Sequence, residues 1–277
     1  MPSKLSRHVP ILWLGLCLTP LGLWAVQAGL FRDKRLEAAV RLLLPEAKGE
    51  LTEQHLANVH ILEAKNSQIT ELVGLEKCRN LSLLNLAGNQ VEDLAPLAGL
   101  PKLQYLDVSN NRLRQLEPVA KLPQLQYLNV AGNQITDVRP VSQLNRLYFL
   151  SLAGNQIQDL SPLGGLTQLV SLDISKNQIS DLAPIAKLTR LSTLNASDNA
   201  ISDVRPVAGL PELRLLILER NRVAELGPLV EACRRDAAGP RQFAPFLRLY
   251  LAGNPLSPQG RQQIAELRKL GVRIESE

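Results

Sequence analysis

A hydrophobic pattern that repeats every 22 residues constrains this chain more than any other feature of its sequence. Each unit reads Leu-x-x-Leu-x-Leu-x-x-Asn-x-Ile-x-x-Leu-x-Pro-Leu-x-x-Leu. A fixed period of this length predicts stacked coils, in which each coil contacts only its neighbours. The asparagine marks the register without a slip at Asn89, Asn111, Asn133, Asn155, Asn177, Asn199 and Asn221.

Within one unit, the pattern predicts a strand, an inward turn and a return segment. Leu106 and Val108 alternate with polar neighbours, which is the period of a strand with one buried face. The asparagine amide at the turn can bond buried backbone groups of adjacent coils. About nine such coils are expected over residues 58–256. On the return segment a proline starts a short helical turn, and an aspartate series is expected to cap it: Asp93, Asp137, Asp159, Asp181 and Asp203.

Residues 29–57 precede the first coil and predict an N-terminal helical cap. A short amphipathic helix is expected over 36–44, where Pro45 ends it. A second helical turn over 52–57 leads into the coils. A solenoid needs such a cap because its first coil otherwise leaves the core open to water.

The period breaks after Asn221, because the next ladder asparagine, Asn254, follows 33 residues later. The added stretch, 232–242, is polar and contains a Gly-Pro pair, which indicates a surface loop. Residues 257–277 predict a C-terminal helical cap, in which Ser257 is the N-cap of the helix.

These features resemble the leucine-rich repeat, in particular the 22-residue class of bacterial internalins and of a eukaryotic phosphatase regulatory subunit. The Ile-x-Asp-Leu-x-Pro-Leu segment carries the resemblance within each coil. Leu36-Glu-Ala-Ala-Val40 and Gly49-Glu-Leu-Thr52 are similar to the N-terminal part of bacterial proteins of this class, and Asn254-Pro-Leu256 to a C-terminal cap. The resemblance implies an α/β solenoid: a right-handed superhelix with a parallel concave sheet, short helical turns on the convex side and helical caps at both ends. It also implies protein or peptide binding on the concave face.

The N-terminus has the pattern of a targeting segment. Lys4 and Arg7 precede an uncharged stretch that runs to Phe31, and small residues end at Ala28. Residues 1–28 are therefore either a signal peptide cleaved after Ala28 or part of an uncleaved membrane tether through residues 9–31. Both readings predict an extracytoplasmic protein, periplasmic or secreted if cleaved and membrane-anchored if not.

Outward-facing strand positions are the candidate ligand contacts, because the fold does not dictate which residues occupy them. Three aromatic residues fall in one outward column on consecutive coils, and contiguous exposed apolar surface of this kind marks interaction sites. The alternative is cross-strand packing that only stabilises the sheet. Two aspartates in the next column predict a mildly acidic rim that suits a basic or mixed peptide, and a glycan stacked on the tyrosines is another ligand to consider. The expected ligand-binding set is Leu83, Tyr105, Asp107, Tyr127, Asn129, Phe149, Ser151 and Asp173.

Catalytic and cofactor chemistry finds little support in the sequence. Of the three histidines, His8 lies in the targeting segment and His55 and His60 lie in or beside the N-terminal cap. No phosphate-binding loop, zinc-ligand spacing or nucleophile elbow is present in the sequence. The net charge of +5 is too small to indicate nucleic acid. We therefore expect a non-catalytic module without metal or cofactor. The alternative is a structural or self-associating envelope protein, such as a homodimer.

Overall fold

A computed structural model describes residues 29–239 and 243–275 of the chain. The predicted signal peptide, residues 1–28, lies outside the described residues. Of the alternative tether through 9–31, only the last three residues are described. No helix of the described residues combines the length and the apolar character that crossing a membrane requires.

The N-terminal cap consists of two short helices, α1 (Lys34–Leu42) and α2 (Glu53–Leu56). At the start of α2, the Thr52 hydroxyl accepts a hydrogen bond from the backbone N–H of His55 at 3.3 Å. The His55 ring nitrogen Nδ1 accepts one in return from the Thr52 N–H at 3.2 Å. This reciprocal arrangement gives His55 a capping role in the helix.

Ten short strands form one parallel sheet in chain order, which confirms the predicted α/β solenoid. The middle residue of each of the first nine strands is apolar and buried, as at Leu106 and Leu128, which are 0% exposed. The flanking residues face the concave side. The strands are β1 (Ile61–Glu63), β2 (Leu83–Asn85), β3 (Tyr105–Asp107), β4 (Tyr127–Asn129), β5 (Phe149–Ser151), β6 (Ser171–Asp173), β7 (Thr193–Asn195), β8 (Leu215–Ile217), β9 (Arg248–Tyr250) and β10 (Arg273–Glu275).

The ladder asparagines satisfy backbone groups where the chain turns inward. In Asn133, the amide Nδ2 donates to the carbonyl oxygens of Val108 at 3.1 Å and Val130 at 2.9 Å. Its Oδ1 accepts from the N–H of Leu113 at 2.9 Å. One side chain thus joins the previous coil to its own coil. The same three kinds of hydrogen bond recur at Asn89, Asn111, Asn155, Asn177, Asn199, Asn221 and Asn254.

The convex side returns through short 3₁₀ turns and one α-helical turn, α3 (Arg205–Ala208). The predicted aspartate series bonds to the start of these turns, although each aspartate lies one residue before the N-cap. Each carboxylate accepts from the backbone N–H two residues later. At Asp93 this distance is 2.7 Å. The 3₁₀ turns on this side are Leu75–Lys77, Ala95–Gly99, Glu117–Lys121, Arg139–Gln143, Ser161–Leu163 and Ala183–Ile185, and a further one, Ala244–Phe246, precedes β9.

The prediction of a surface loop over 232–242 is wrong for its first half, which is helical in the structure. Helix α4 (Gly227–Ala237) replaces the short turn of the other coils. Ala232 and Cys233 lie on its inner face at 8% and 0% exposure, and Arg234 on its outer face is exposed. The polar residues that indicated a loop therefore form the outer face of an amphipathic helix.

The C-terminal cap contains α5 (Pro258–Lys269), followed by β10. The Ser257 hydroxyl accepts from the N–H of Gly260 at 2.9 Å and caps the start of this helix. Gly271 follows the helix with a φ of 102°, a left-handed conformation that favours glycine. The sequence predicted only a helical cap here, and the tenth strand is an addition.

Candidate binding surface on the concave face

Three aromatic rings stack on one another along the concave face. Tyr105, Tyr127 and Phe149 are register partners on β3, β4 and β5. The first two ring centroids lie 4.0 Å apart with an interplanar angle of 10°, and the second pair 4.2 Å apart with an angle of 3°. Parallel strands are spaced about 4.8 Å apart, so rings in one column are held close to van der Waals contact. With Leu83, the register partner of Tyr105 on β2, they form what we call the aromatic platform.

The platform is half-buried and uncharged. Burial raises the pKa of Tyr127 above its usual range, and the neighbouring Tyr105 hydroxyl raises it further. Tyr127 therefore stays a neutral phenol at physiological pH, able both to donate and to accept a hydrogen bond. The exposed ring edges give a ligand an apolar surface with polar hydroxyl groups beside it.

The two aspartates predicted as an acidic rim are held by hydrogen bonds within the chain. Asp107 is only 8% exposed. One of its oxygens accepts from the N–H and the hydroxyl of Ser109 at 2.9 and 2.7 Å, and the other accepts from the Asn129 amide at 3.2 Å. Asp173 accepts from Ser175 in the same way, at 2.9 and 2.7 Å. Both carboxylates stabilise the turn that follows their own strand, which leaves them less available to a basic partner.

Sequence reasoning missed this role, although the sequence contains a signal for it. In each case the acceptor is an Asp or Asn, and the donor lies two residues later on the same face. Asn85 and Asn129 accept from the N–H of Ala87 and Ala131 by the same geometry. A repeated Asx-x-Ala/Ser spacing therefore identifies side chains that satisfy the turn.

Tyr148 lies at the edge of the sheet beside the platform and is 47% exposed. It borders a surface hollow of about 280 Å³ that is also lined by Arg146 and Arg190. Both guanidinium groups donate to a glutamine one coil earlier, Gln124 and Gln168 respectively. These contacts make the edge a polar border of the aromatic platform.

A second surface, apolar except for one arginine, occupies the other end of the concave face. On β8, Leu215 and Ile217 are half-buried and point outward, and their register partners on β9 are Arg248 and Tyr250. We call these four residues the C-terminal patch. The predicted ligand-binding set stopped at Asp173 and did not include it, although the same outward columns contain these residues.

Comparison with known proteins places the chain in a family. Residues 101–144 and 145–187 each match the sequence family described as leucine-rich repeats. The structure of internalin C2 from Listeria monocytogenes is 39% identical in sequence, with a TM-score of 0.70, over 72% of this chain and 89% of that one. The chain belongs to the internalin-like leucine-rich-repeat family. This confirms the resemblance drawn from the repeat.

Other internalin-like solenoids are similar at lower identity. Internalin F from Listeria monocytogenes is 26% identical with a TM-score of 0.70, over 89% of this chain and 76% of that one. A leucine-rich-repeat protein of Leptospira interrogans is 28% identical with a TM-score of 0.66, over 74% of this chain and 51% of that one. No curated protein sequence matches the chain.

Leucine-rich repeats are typically scaffolds for binding rather than catalysis. In the part of this internalin-like solenoid that the structure describes, no group of three or more His, Cys, Asp or Glu residues is arranged to hold a metal ion. The aspartates of the convex side belong to different coils, and each accepts from a backbone N–H at the start of its own turn. Because a fold does not determine function, the argument for function depends on the concave surface itself.

Proposed function

We propose that this internalin-like solenoid is a non-catalytic module that binds a protein or peptide through the aromatic platform of its concave face. One observation carries the proposal. In the column that holds Tyr105, Tyr127 and Phe149, the next two coils have Ser171 and Thr193 at the register-equivalent positions. The same strand forms with a small polar residue there, so the sheet does not require aromatic side chains.

The geometry of the stack also favours binding. The rings are already ordered by contact with one another, so their side chains lose little further entropy when a ligand covers them. Tyrosine and phenylalanine have only two side-chain torsions, and they offer a large contact area for that small cost. Aromatic residues of this kind supply most of the binding free energy at many interfaces.

Substituting Tyr105, Tyr127 and Phe149 by serine is expected to weaken partner binding by at least about thirtyfold, or about 2 kcal/mol. Thermal unfolding is expected to shift by only a few degrees, because two stacked pairs contribute about 1 kcal/mol each and the leucine core is unchanged. Partners would be crosslinked in the native host to the wild-type chain and to the variant, then quantified, and Tm measured on both chains.

A control variant would have serine at Lys121 and Gln143, which are exposed on convex turns. It is expected to capture the same partner as the wild-type chain. Equal capture by the platform variant would contradict the proposal, and so would unfolding of that variant. Capture of further copies of the chain alone would instead support the self-associating structural role.

We also infer that the protein acts outside the cytoplasm, exported through residues 1–28 or tethered through residues 9–31. Lys4 and Arg7 before a long uncharged stretch, with small residues ending at Ala28, support this inference. Leu30 already lies against the first coil, because a Cβ added to Gly74 would be 2.2 Å from the Leu30 carbonyl oxygen. Intact-mass measurement on cell fractions tests this inference. A chain beginning at Gly29 outside the cytoplasm, or a full-length chain in the membrane fraction, is expected. A full-length chain in the soluble cytoplasmic fraction would contradict both.

A further inference from the structure

Two arginines lie next to each other at the C-terminal end of the concave face. Arg248 on β9 and Arg273 on β10 are register partners in the outward column that also contains the aromatic platform. Both side chains are exposed. The column is otherwise uncharged, with Ile61, Leu83, Tyr105, Tyr127, Phe149, Ser171, Thr193 and Leu215.

Neither guanidinium has a partner among the described residues, whereas those of the neighbouring Arg214 and Arg220 do. Arg220 pairs with Asp198, with its Nη2 at 2.8 Å from Oδ2. Arg214 lies over the Phe246 ring at 5.6 Å from its centroid. In the part of the chain that the structure describes, Arg248 and Arg273 make no ion pair and no side-chain hydrogen bond.

Placing two like charges opposite each other on adjacent strands destabilises a sheet. The nearest acidic residue on the same strand, Glu275, lies two residues beyond Arg273, about 7 Å along the chain. It is the register partner of Tyr250 rather than of either arginine. These contacts give the arginine pair no stabilising role in the fold, and the guanidinium groups remain able to donate hydrogen bonds to a carboxylate.

We infer that Arg248 and Arg273 bind an acidic side chain of the same ligand whose apolar residues contact the aromatic platform. The ligand is then an extended peptide segment with apolar residues at one end and Asp or Glu at the other. This inference rests on the proposed function. It adds the chemistry of the ligand and the end of the concave face at which its acidic residue lies. It differs from the basic or mixed peptide that the aspartates suggested, because Asp107 and Asp173 are engaged within the chain.

Strand spacing sets the separation of the two recognition elements in the ligand. Four strand spacings separate Phe149 on β5 from Arg248 on β9, which is about 19 Å at about 4.8 Å each. An extended peptide advances about 3.3 Å per residue, so about six residues separate its apolar group from its acid. Ser171 and Thr193 leave room for small residues between them, and Leu215 provides an apolar contact close to the acid.

A display library of random 12-residue peptides, selected on the purified full-length chain, tests the inference directly. We expect selected peptides to carry Asp or Glu about six residues from an aromatic or aliphatic residue. For such a peptide, the double variant Arg248→Glu/Arg273→Glu should raise Kd at least tenfold. Replacing the peptide's acid by lysine should restore binding to that variant, a reversal that a merely structural role would not produce. If the double variant folds poorly, the single variant Arg273→Glu is used instead, and it should also raise Kd.

The control is Arg222→Glu/Arg261→Glu, a charge reversal at two exposed arginines outside this column, which should leave Kd unchanged. The inference would be overturned if the selected peptides were enriched in apolar but not in acidic residues and bound the wild-type chain and the Arg248/Arg273 variant with equal Kd. The proposed function would still stand. Failure of the wild-type chain to enrich any peptide beyond an unrelated protein would overturn both.

Discussion

Replacing Asn133 by alanine is expected to lower the free energy of unfolding by about 3 to 4 kcal/mol. Its side chain is only 8% exposed, and it bonds the carbonyl oxygens of Val108 and Val130 and the N–H of Leu113. Alanine leaves the N–H of Leu113 without a partner in a place that water does not reach easily. It also removes one of the two side-chain donors to each carbonyl oxygen, since Val108 still accepts from Asn111 and Val130 from Asn155. An unsatisfied buried group costs about 1 to 3 kcal/mol, and each lost hydrogen bond about 0.5 to 1.5 kcal/mol.

Chemical denaturation of the wild-type chain and the variant measures this effect, and Asn145→Ala is the matched control. Asn145 is exposed, so its loss is expected to change the free energy of unfolding by no more than about 0.5 kcal/mol. Asn133→Asp is expected to be at least as damaging as alanine, because a carboxylate faces two carbonyl oxygens without a donor. A change below 1 kcal/mol for Asn133→Ala would show that the ladder is not a main source of stability.

Repetition explains why the core and the ladder could be predicted from the sequence. A buried leucine such as Leu106 or an asparagine such as Asn133 recurs in the same backbone environment in coil after coil. One physical explanation then has to account for every occurrence. Because the pattern recurs so many times, it cannot be a chance match. The positions that face the concave side follow from the same register, which is how Tyr105, Tyr127 and Phe149 could be placed in one column.

Features that occur once could not be derived in that way. Helix α4 has no second copy in the chain, so the composition of 232–242 was the only guide, and polar residues suit either a loop or a helix surface. Strand β10 has only three residues and no leucine pattern before it. It forms because β9 offers an open edge, and Arg273 N–H donates to the Leu247 carbonyl at 3.0 Å.

The concave surface was predictable in position but only partly in chemistry. The outward direction of Asp107 followed from alternation, yet its partner depended on which way the N–H of Ser109 points. That backbone group lies outside the strand ladder and faces the carboxylate. Arg248 and Arg273 were brought together by the unpredicted β10, so the charge of that end of the surface became visible only in the structure.

The second large effect on stability is expected at Asp33, a buried carboxylate in the N-terminal cap. One oxygen of Asp33 accepts from the N–H groups of Arg35 and Leu36 at the start of α1, at 2.8 and 3.2 Å. The other accepts from the N–H and hydroxyl of Thr70 at 2.7 and 3.1 Å, and from the N–H of Glu71 at 3.4 Å. Asp33 therefore attaches the cap helix to the first coil.

We expect Asp33→Asn to destabilise the cap by about 2 to 4 kcal/mol at pH 7, because the amide turns one acceptor into a donor facing donors. Burial disfavours the charge of Asp33, but hydrogen bonds from Thr70, Leu36 and Arg35 outweigh it and hold its pKa below the usual value. A group whose pKa is lowered by folding adds stability above its unfolded pKa of about 3.9 and loses it as pH falls through the folded pKa. The difference between wild type and variant should therefore shrink in acid.

Denaturation of both chains at pH 7 and at successively lower pH, down to about 2, measures that difference, and hydrogen exchange locates it. Other carboxylates with lowered pKa, such as Glu37 and Asp203, weaken both chains equally in acid, so subtracting one curve from the other isolates Asp33.

Asp33→Ser separates the two roles of the side chain. Serine can still cap α1, which retains about 1 kcal/mol, but its shorter side chain does not reach Thr70. Faster exchange in α1 with unchanged exchange in the central coils is expected for Asp33→Asn. A pH-independent difference would instead assign the effect to lost shape rather than to the charge.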